Sequence, residues 1–173
     1  RLMNSMKQIH VAKLTLNVGA GRNQKKLEKG QRLIENLTGK EPVTTKAKKR
    51  IQGWKLRPGL PIGTKITIRG NEAVEIIKRI LPAIDRQIKP SSVDNNGNIS
   101  FGVKEYVDVD GLKYDTKIGM MGFQVSITLE RPGFRVKKRK IQPKKIPDSH
   151  RISQEDAITF MEDTFNVSIE EQE

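Results

Sequence analysis

Five segments of the chain alternate apolar and polar residues with a period of two, the mark of strands buried on one face. In AKLTLNV, Ala12, Leu14, Leu16 and Val18 point one way, and Lys13, Thr15 and Asn17 the other. In VTTKA, Val43, Thr45 and Ala47 oppose Thr44 and Lys46. TKITIRG sets Ile66 and Ile68 against Lys65, Thr67 and Arg69, and ISFGVK sets Ile99, Phe101 and Val103 against Ser100 and Lys104. FQVSITLE sets Phe123, Val125, Ile127 and Leu129 against Gln124, Ser126, Thr128 and Glu130. Helical periodicity intervenes. Residues 23–38 carry Leu27, Leu33, Ile34 and Leu37 and end at Gly39, which suits the left-handed residue after a helix; Gly30 weakens this helix without breaking it. A second helix is expected after Asn71 as N-cap, running EAVEIIKRIL until Pro82 forces a kink or a restart. A third starts at Ser153, with Asp156 completing an approximate capping box and Ala157, Ile158, Met161 and Phe165 forming its apolar stripe. DNNGN and Asp110-Gly111 read as turns.

These elements predict an α+β domain in which helices cover the apolar face of one sheet. The polar sides of the strands then form one surface of hydroxyls, amides, Lys and Arg, with Glu130, at a strand end, as its one acid. Such groups are the ones used to contact phosphate and sugar. An ordinary solvent-facing sheet side mixes in more Asp and Glu, so the pattern points to RNA or DNA.

Charge strengthens this reading. The 173 residues carry a formal charge of +13, which fits a polyanionic partner. Residues 1–70 hold 17 Lys and Arg against 3 Asp and Glu, and residues 131–151 hold 9 against 1. Residues 152–173 hold none against 7. The expected organisation is a single RNA-binding domain over residues 1–151 and an acidic C-terminal helix and tail over 152–173. The chain has no cysteine, which excludes disulfides and thiolate metal sites and suits a reducing cytoplasm. No apolar run reaches the ~18 residues of a membrane span, and nothing resembles a signal peptide, so no membrane partner is expected.

Catalytic and cofactor motifs fare poorly. GAGRNQ (19–24) follows a strand and precedes a helix, but Gln24 stands where a dinucleotide fingerprint needs its third glycine. GLPIGTK has glycines without the Lys-Ser/Thr order of a phosphate-binding loop. His10 and His150 lie near opposite ends of the chain with no carboxylates at suitable spacing, and read as surface or RNA-contacting residues. EYVDVDGLKYD lacks calcium-loop spacing, and no G-x-S-x-G elbow occurs. The expectation is a protein that is not an enzyme, with no catalytic residues, no metal site and no cofactor.

The stretch KKRIQGWKLRPGLPIG (48–63) stands apart. It joins two strands that a short turn would connect, and loops of this length are usually functional or disordered. It holds five cations and no acid, with Pro58 and Pro61 restricting it and Trp54 offering a stacking surface. A contact with a second RNA, away from the sheet's ligand, is the expected use. KKRKIQPKK (137–145) reads as a charged segment crossing the surface.

Ordered motifs then point to a family. KLTLNVGAG, LTGKEPVTTKAKK, KLRPGLPIGTKITIRG and FGVKEY resemble the universal L-five family of large-subunit ribosomal proteins, which carries 5S ribosomal RNA. GMMGFQVSITLERPGFRV and PDSHRIS are similar to its archaeal and eukaryotic branch, and the resemblance covers about residues 5–165. It implies a curved antiparallel sheet with helices on the convex side and 5S RNA on the other. Matching positions are Asn17, Lys40, Thr67 and Arg69; with the strand pattern, the 5S RNA candidates become Lys13, Thr15, Asn17, Lys40, Lys46, Lys65, Thr67 and Arg69. The family often has Gln where this chain has Lys40, which favours phosphate contact over a specific amide bond.

The same resemblance makes Lys48, Lys49, Arg50, Trp54, Lys55 and Arg57 candidates for contact with P-site transfer RNA. Arg135, Lys137, Lys138, Arg139, Lys140, Lys144 and Lys145 form the basic surface segment, with large-subunit ribosomal RNA as a partner. It also implies a place in the central protuberance beside other ribosomal proteins, and a bridge to the small-subunit protein S-thirteen, for which residues 105–119 are the expected side. The acidic end should avoid phosphate and face protein or solvent. The competing classes are an RNA-processing enzyme and a basic RNA-binding regulatory protein acting outside the ribosome.

Overall fold

The structure, a computed structural model, describes residues 4–169. Five antiparallel strands form one open, curved sheet: β1 (His10–Gly19), β2 (Val43–Lys46), β3 (Pro61–Ile68), β5 (Asn98–Val103) and β6 (Phe123–Glu130). Their order is β2-β3-β1-β6-β5, so the first strand becomes the centre. A separate two-residue parallel pair joins β4 (Gln87–Ile88) to β7 (Ser168–Ile169). The helices are α1 (Gln24–Thr38), α2 (Asn71–Ile80), α3 (Arg135–Lys138) and α4 (Gln154–Phe165).

The alternation places Leu14, Leu16 and Val18 of β1 beside Ile66 and Ile68 of β3 and Val125, Ile127 and Leu129 of β6, all buried. Onto this face α1 lays Leu27, Leu33, Ile34 and Leu37, and α2 lays Ala73, Ile76, Ile77 and Ile80. Burial of each Leu or Ile contributes about 1.5–3 kcal/mol. The buried residues of α4, Ala157, Met161 and Phe165, join the same hydrophobic cluster.

Helix α1 begins where the Asn23 side chain accepts a bond from the Lys26 amide (3.2 Å) and ends at Gly39, with φ 67°. Gly30 at its middle has a packing reason. A Cβ there would lie 2.8 Å from Val18 Cγ1 and 3.3 Å from Thr64 Cγ2, so the missing side chain lets helix and sheet touch.

Three expectations need correction. Ala12 does not continue the apolar row of β1: the register with β6 shifts between Val11 and Lys13, and Ala12 is the extra residue of that irregularity. In β2 the faces are reversed. Thr44 pairs with Thr64 on the helix side and accepts a bond from Gln31 Nε2 (3.0 Å), whereas Val43 pairs with Lys65 and is 64% exposed. A four-residue edge strand carries too few apolar positions to set its own face, so pairing with β3 decides it. Asn71 is the first residue of α2 rather than its cap. Gly70 takes that place at φ 75°, because the chain must reverse between β3 and α2 through a conformation open to glycine. After Ile80 the chain passes through one 3-10 turn, Leu81–Ile84, as Pro82 requires.

The end of β6 is tied to α4 through Arg131, which is 9% exposed. Its Nη2 donates to Asp156 Oδ2 (2.9 Å) and its Nη1 to the Arg151 carbonyl (2.9 Å). Ser153 and Asp156 complete the reciprocal capping box anticipated for α4. Burial pushes the Asp156 carboxyl upward, but the Ser153 hydrogen bonds and the Arg131 guanidinium outweigh it and hold the carboxyl below its ordinary value of 3.8.

Gly30→Ala should lower the unfolding free energy by about 1–3 kcal/mol through overpacking, outweighing the ~1 kcal/mol that alanine adds in helix propensity. A urea midpoint unchanged or raised would mean that α1 rides clear of the sheet. Asp156→Asn should cost roughly 1–3 kcal/mol at neutral pH by unpairing Arg131. A carboxyl held low stabilises fully above its unfolded value and loses that contribution as pH falls through the folded one. The gap between wild type and variant, followed by urea unfolding, should therefore close as pH drops below about 3.8; a gap constant down to pH 2 would remove the carboxylate's charge as the cause.

Candidate nucleic-acid interface

Register turns separate strand residues into a continuous surface. Across the open face, Val43, Lys65, Asn17 and Gln124 form one row. Thr67, Thr15, Ser126 and Ser100 form the next, and Lys13, Thr128 and Asn98 a third. At ~4.8 Å between strands, a four-strand row spans about 15 Å. Arg69 continues the line of Lys65 and Thr67 one residue past β3 and is exposed. Within the rows, Asn17 Nδ2 donates to Gln124 Oε1 (3.0 Å), and the Ser100 and Ser126 hydroxyls lie 3.1 Å apart. These bonds hold the side chains in register.

The five strand candidates Lys13, Thr15, Asn17, Lys65 and Thr67 thus share one face, with Arg69 at its margin. Two others lie apart. Lys46 is exposed on β2 beyond the register shift that follows Thr45. Lys40 sits in the turn after α1, where its ammonium pairs with Glu72 in the first turn of α2. Glu130, the strand carboxylate of this surface, is neutralised by Lys138 of α3. The basic segment is thereby fastened to the end of β6, a contact that alternation along β6 cannot reveal.

The loop between β2 and β3 is partly folded. Ile51 and Leu56 exchange two backbone bonds (3.1 and 3.0 Å), and the Lys55 amide donates to the Gln52 carbonyl (2.9 Å), closing a small hairpin with Trp54 in its turn. Leu56 is buried, while Trp54 is 71% exposed and so is not spent on the core. Lys48, Lys49, Arg50, Lys55 and Arg57 are all exposed. Arg50, Lys55 and Arg57 line a cleft of about 700 Å³ together with Arg22, and among the described residues no carboxylate lines it. Arg22 escaped the sequence reading because it belongs to the turn before α1, 28 positions from Arg50. Nothing local marks it as the loop's neighbour.

Residues 105–119 are stitched down by buried Tyr106, whose hydroxyl accepts from the Asp115 amide (2.8 Å). Arg79 Nε donates to the Asp110 carbonyl (3.2 Å). Among the described residues, no group of three or more His, Asp or Glu could hold a metal ion, and no helix is long and apolar enough to cross a membrane. The last four residues of the expected acidic tail lie outside the described residues.

A basic, open-faced α+β sheet of this kind defines a protein that works by surface contact. Residues 4–57 match the model of the family described as Ribosomal protein L5, and residues 61–168 match the model of that ribosomal family's C-terminus. The chain is 46% identical over 166 residues to the large ribosomal subunit protein uL5 of Sulfolobus acidocaldarius, spanning 96% of this chain and 93% of that protein. It is 44% identical to uL5 of Nanoarchaeum equitans (95% and 97% covered) and 40% identical to uL5 of Methanosphaera stadtmanae (97% and 100% covered). The chain belongs to the ribosomal protein L5 family, whose members are structural proteins and not enzymes.

Proposed function

We propose that this chain, as a structural constituent of the large ribosomal subunit, holds 5S ribosomal RNA on the open face of its sheet and helps attach it in the central protuberance. Family membership supports the coarser part: a ribosomal protein, at work in the cytoplasm within the large subunit, with ribosomal RNA as partner. The observation that supports the finer part is the three-row surface, where hydroxyls and amides cross four strands and the strand carboxylate is covered by Lys138. Hydroxyls and amides fix register on sugar and phosphate, and cations supply affinity.

A second contact goes to P-site transfer RNA through the loop expected at residues 48–63, which ends before β3 begins at Pro61. The exposed Trp54 and the cleft lined by Arg22, Arg50, Lys55 and Arg57 support this reading. A third goes to the small subunit, with the acidic stretch at 105–119 meeting a basic protein, S-thirteen. The segment at 135–145 contacts large-subunit ribosomal RNA, and neighbouring central-protuberance proteins complete the setting.

Binding of the purified protein to 5S RNA, with an unrelated structured RNA of equal length as competitor, tests the first contact. The 5S RNA should be preferred, with a log–log salt slope of roughly −3 to −6 for several phosphates. Arg69→Ala should weaken binding by about 1–3 kcal/mol. Equal binding to both RNAs would favour a general basic regulatory protein and sink the 5S assignment. For the loop, joint replacement of Arg50, Lys55 and Arg57 by Ala spares buried Leu56. It should weaken transfer RNA retention on assembled ribosomes at least ~fivefold, as loss of about 1 kcal/mol implies, while leaving 5S affinity nearly unchanged. Equal damage to both would merge loop and sheet into one site.

A further inference from the structure

Away from the sheet face, the basic segment closes over the end of the core and leaves a cavity of about 340 Å³. Its walls include Phe134, Ile146 and Ile152, of which Ile152 is fully buried and Ile146 is 9% exposed. The Phe134 ring is held edge-on by His150 (centroids 5.8 Å apart, planes at 63°), whose Nε2 lies 2.9 Å from the Pro132 carbonyl. Lys137, Lys144, Lys145 and Arg151 line the same cavity and are exposed. Among the described residues, one carboxylate pairs with this group: Asp148 meets Arg151 at 2.9 Å and is itself 89% exposed. Asn96 adds an amide, held through its Nδ2 by Asp94 Oδ2 (3.3 Å). The wall on the segment's side is fixed by the bond from the Lys144 amide to the Val136 carbonyl (3.2 Å).

An apolar cavity ringed by cations suits a ligand with a flat, weakly polar body and an attached anion. A bare phosphate has no use for Phe134 and Ile152, and an apolar peptide gains nothing from four cations. We propose that this cavity receives a single unstacked nucleotide of an RNA chain, its base against Phe134 and Ile152, its Watson–Crick or Hoogsteen edge at Asn96, and its phosphates among Lys137, Lys144, Lys145 and Arg151. The volume falls within the ~300–1,000 Å³ of small-ligand sites, and single-stranded RNA is commonly held by base stacking on an aromatic ring. The assignment rests on the RNA-binding reading above, but it concerns a site separate from the sheet and the loop.

The test uses the full chain and three fluorescent probes: a single-stranded oligouridine octamer, an octamer of abasic sugars with the same phosphates, and a blunt RNA duplex. The base-bearing octamer should bind about tenfold more tightly than the abasic one. Phe134→Leu should abolish that preference, whereas Lys145→Ala should weaken both octamers alike. A 4-thiouridine octamer should crosslink within residues 134–152, a readout on the wild type that stands even if the Phe134 variant is poorly folded. Equal affinity for both octamers, or crosslinks elsewhere, would overturn the proposal. Displacement of the octamer by free AMP at equal nucleotide concentration would make this a free-nucleotide site and overturn it too. Preference for 5S RNA, measured on the same preparations, separates the two readings. Intact 5S preference without base preference removes only the cavity; base preference without 5S preference removes only the sheet assignment.

Discussion

The closeness of α1 to the sheet governs the rest of the architecture. At Gly30 the helix backbone approaches Val18 and Thr64 without a side chain between them. That approach lets Leu33, Ile34 and Leu37 reach the apolar face of β1 and β3 and exclude water from it. With one face sealed by α1 and α2, the opposite face is left for polar groups. The propensity lost by a glycine in mid-helix, ~1 kcal/mol, is small beside the burial it permits.

A second constraint is electrostatic. The cations of the loop, of the sheet face and of the segment after β6 stand on surfaces with few carboxylates, and like charges brought together by folding repel. Carboxylates meet these cations at a few points: Glu72 holds Lys40, Asp148 holds Arg151, Glu130 fastens Lys138 to the end of β6 and Asp156 holds the buried guanidinium of Arg131. Glu130 and Asp156 secure the start of the basic region, and Lys137, Lys144 and Lys145 stay exposed. Distributing charge in this way leaves a polyanion to complete the surface.

Segregation of charge along the chain was legible, and so was the identity of the five sheet strands and of α1, α2 and α4, because each rests on local period, caps and turns. The Ser153–Asp156 capping box and the Gly39 terminus follow from residues within a few positions of one another. Features that depend on a partner strand were not legible. Alternation in VTTKA suits either face, and only pairing with Lys65 and Thr64 turns Val43 outward and Thr44 inward. The fate of Ala12 was set by the register with β6, where the eight residues His10–Asn17 of β1 face the seven residues Gln124–Glu130.

By itself, the sequence determined the elements, the chemistry of each strand side and the places where charge accumulates, since these depend on neighbours in the chain. Tertiary structure decided which side chains stand together. It set β1 at the centre between β3 and β6, joined Arg22 to Arg50, Lys55 and Arg57, and folded the segment after β6 beside Ile152 to line a half-open cavity. Those meetings join residues far apart in the chain, and their geometry follows from strand order and core packing, quantities that no local pattern carries.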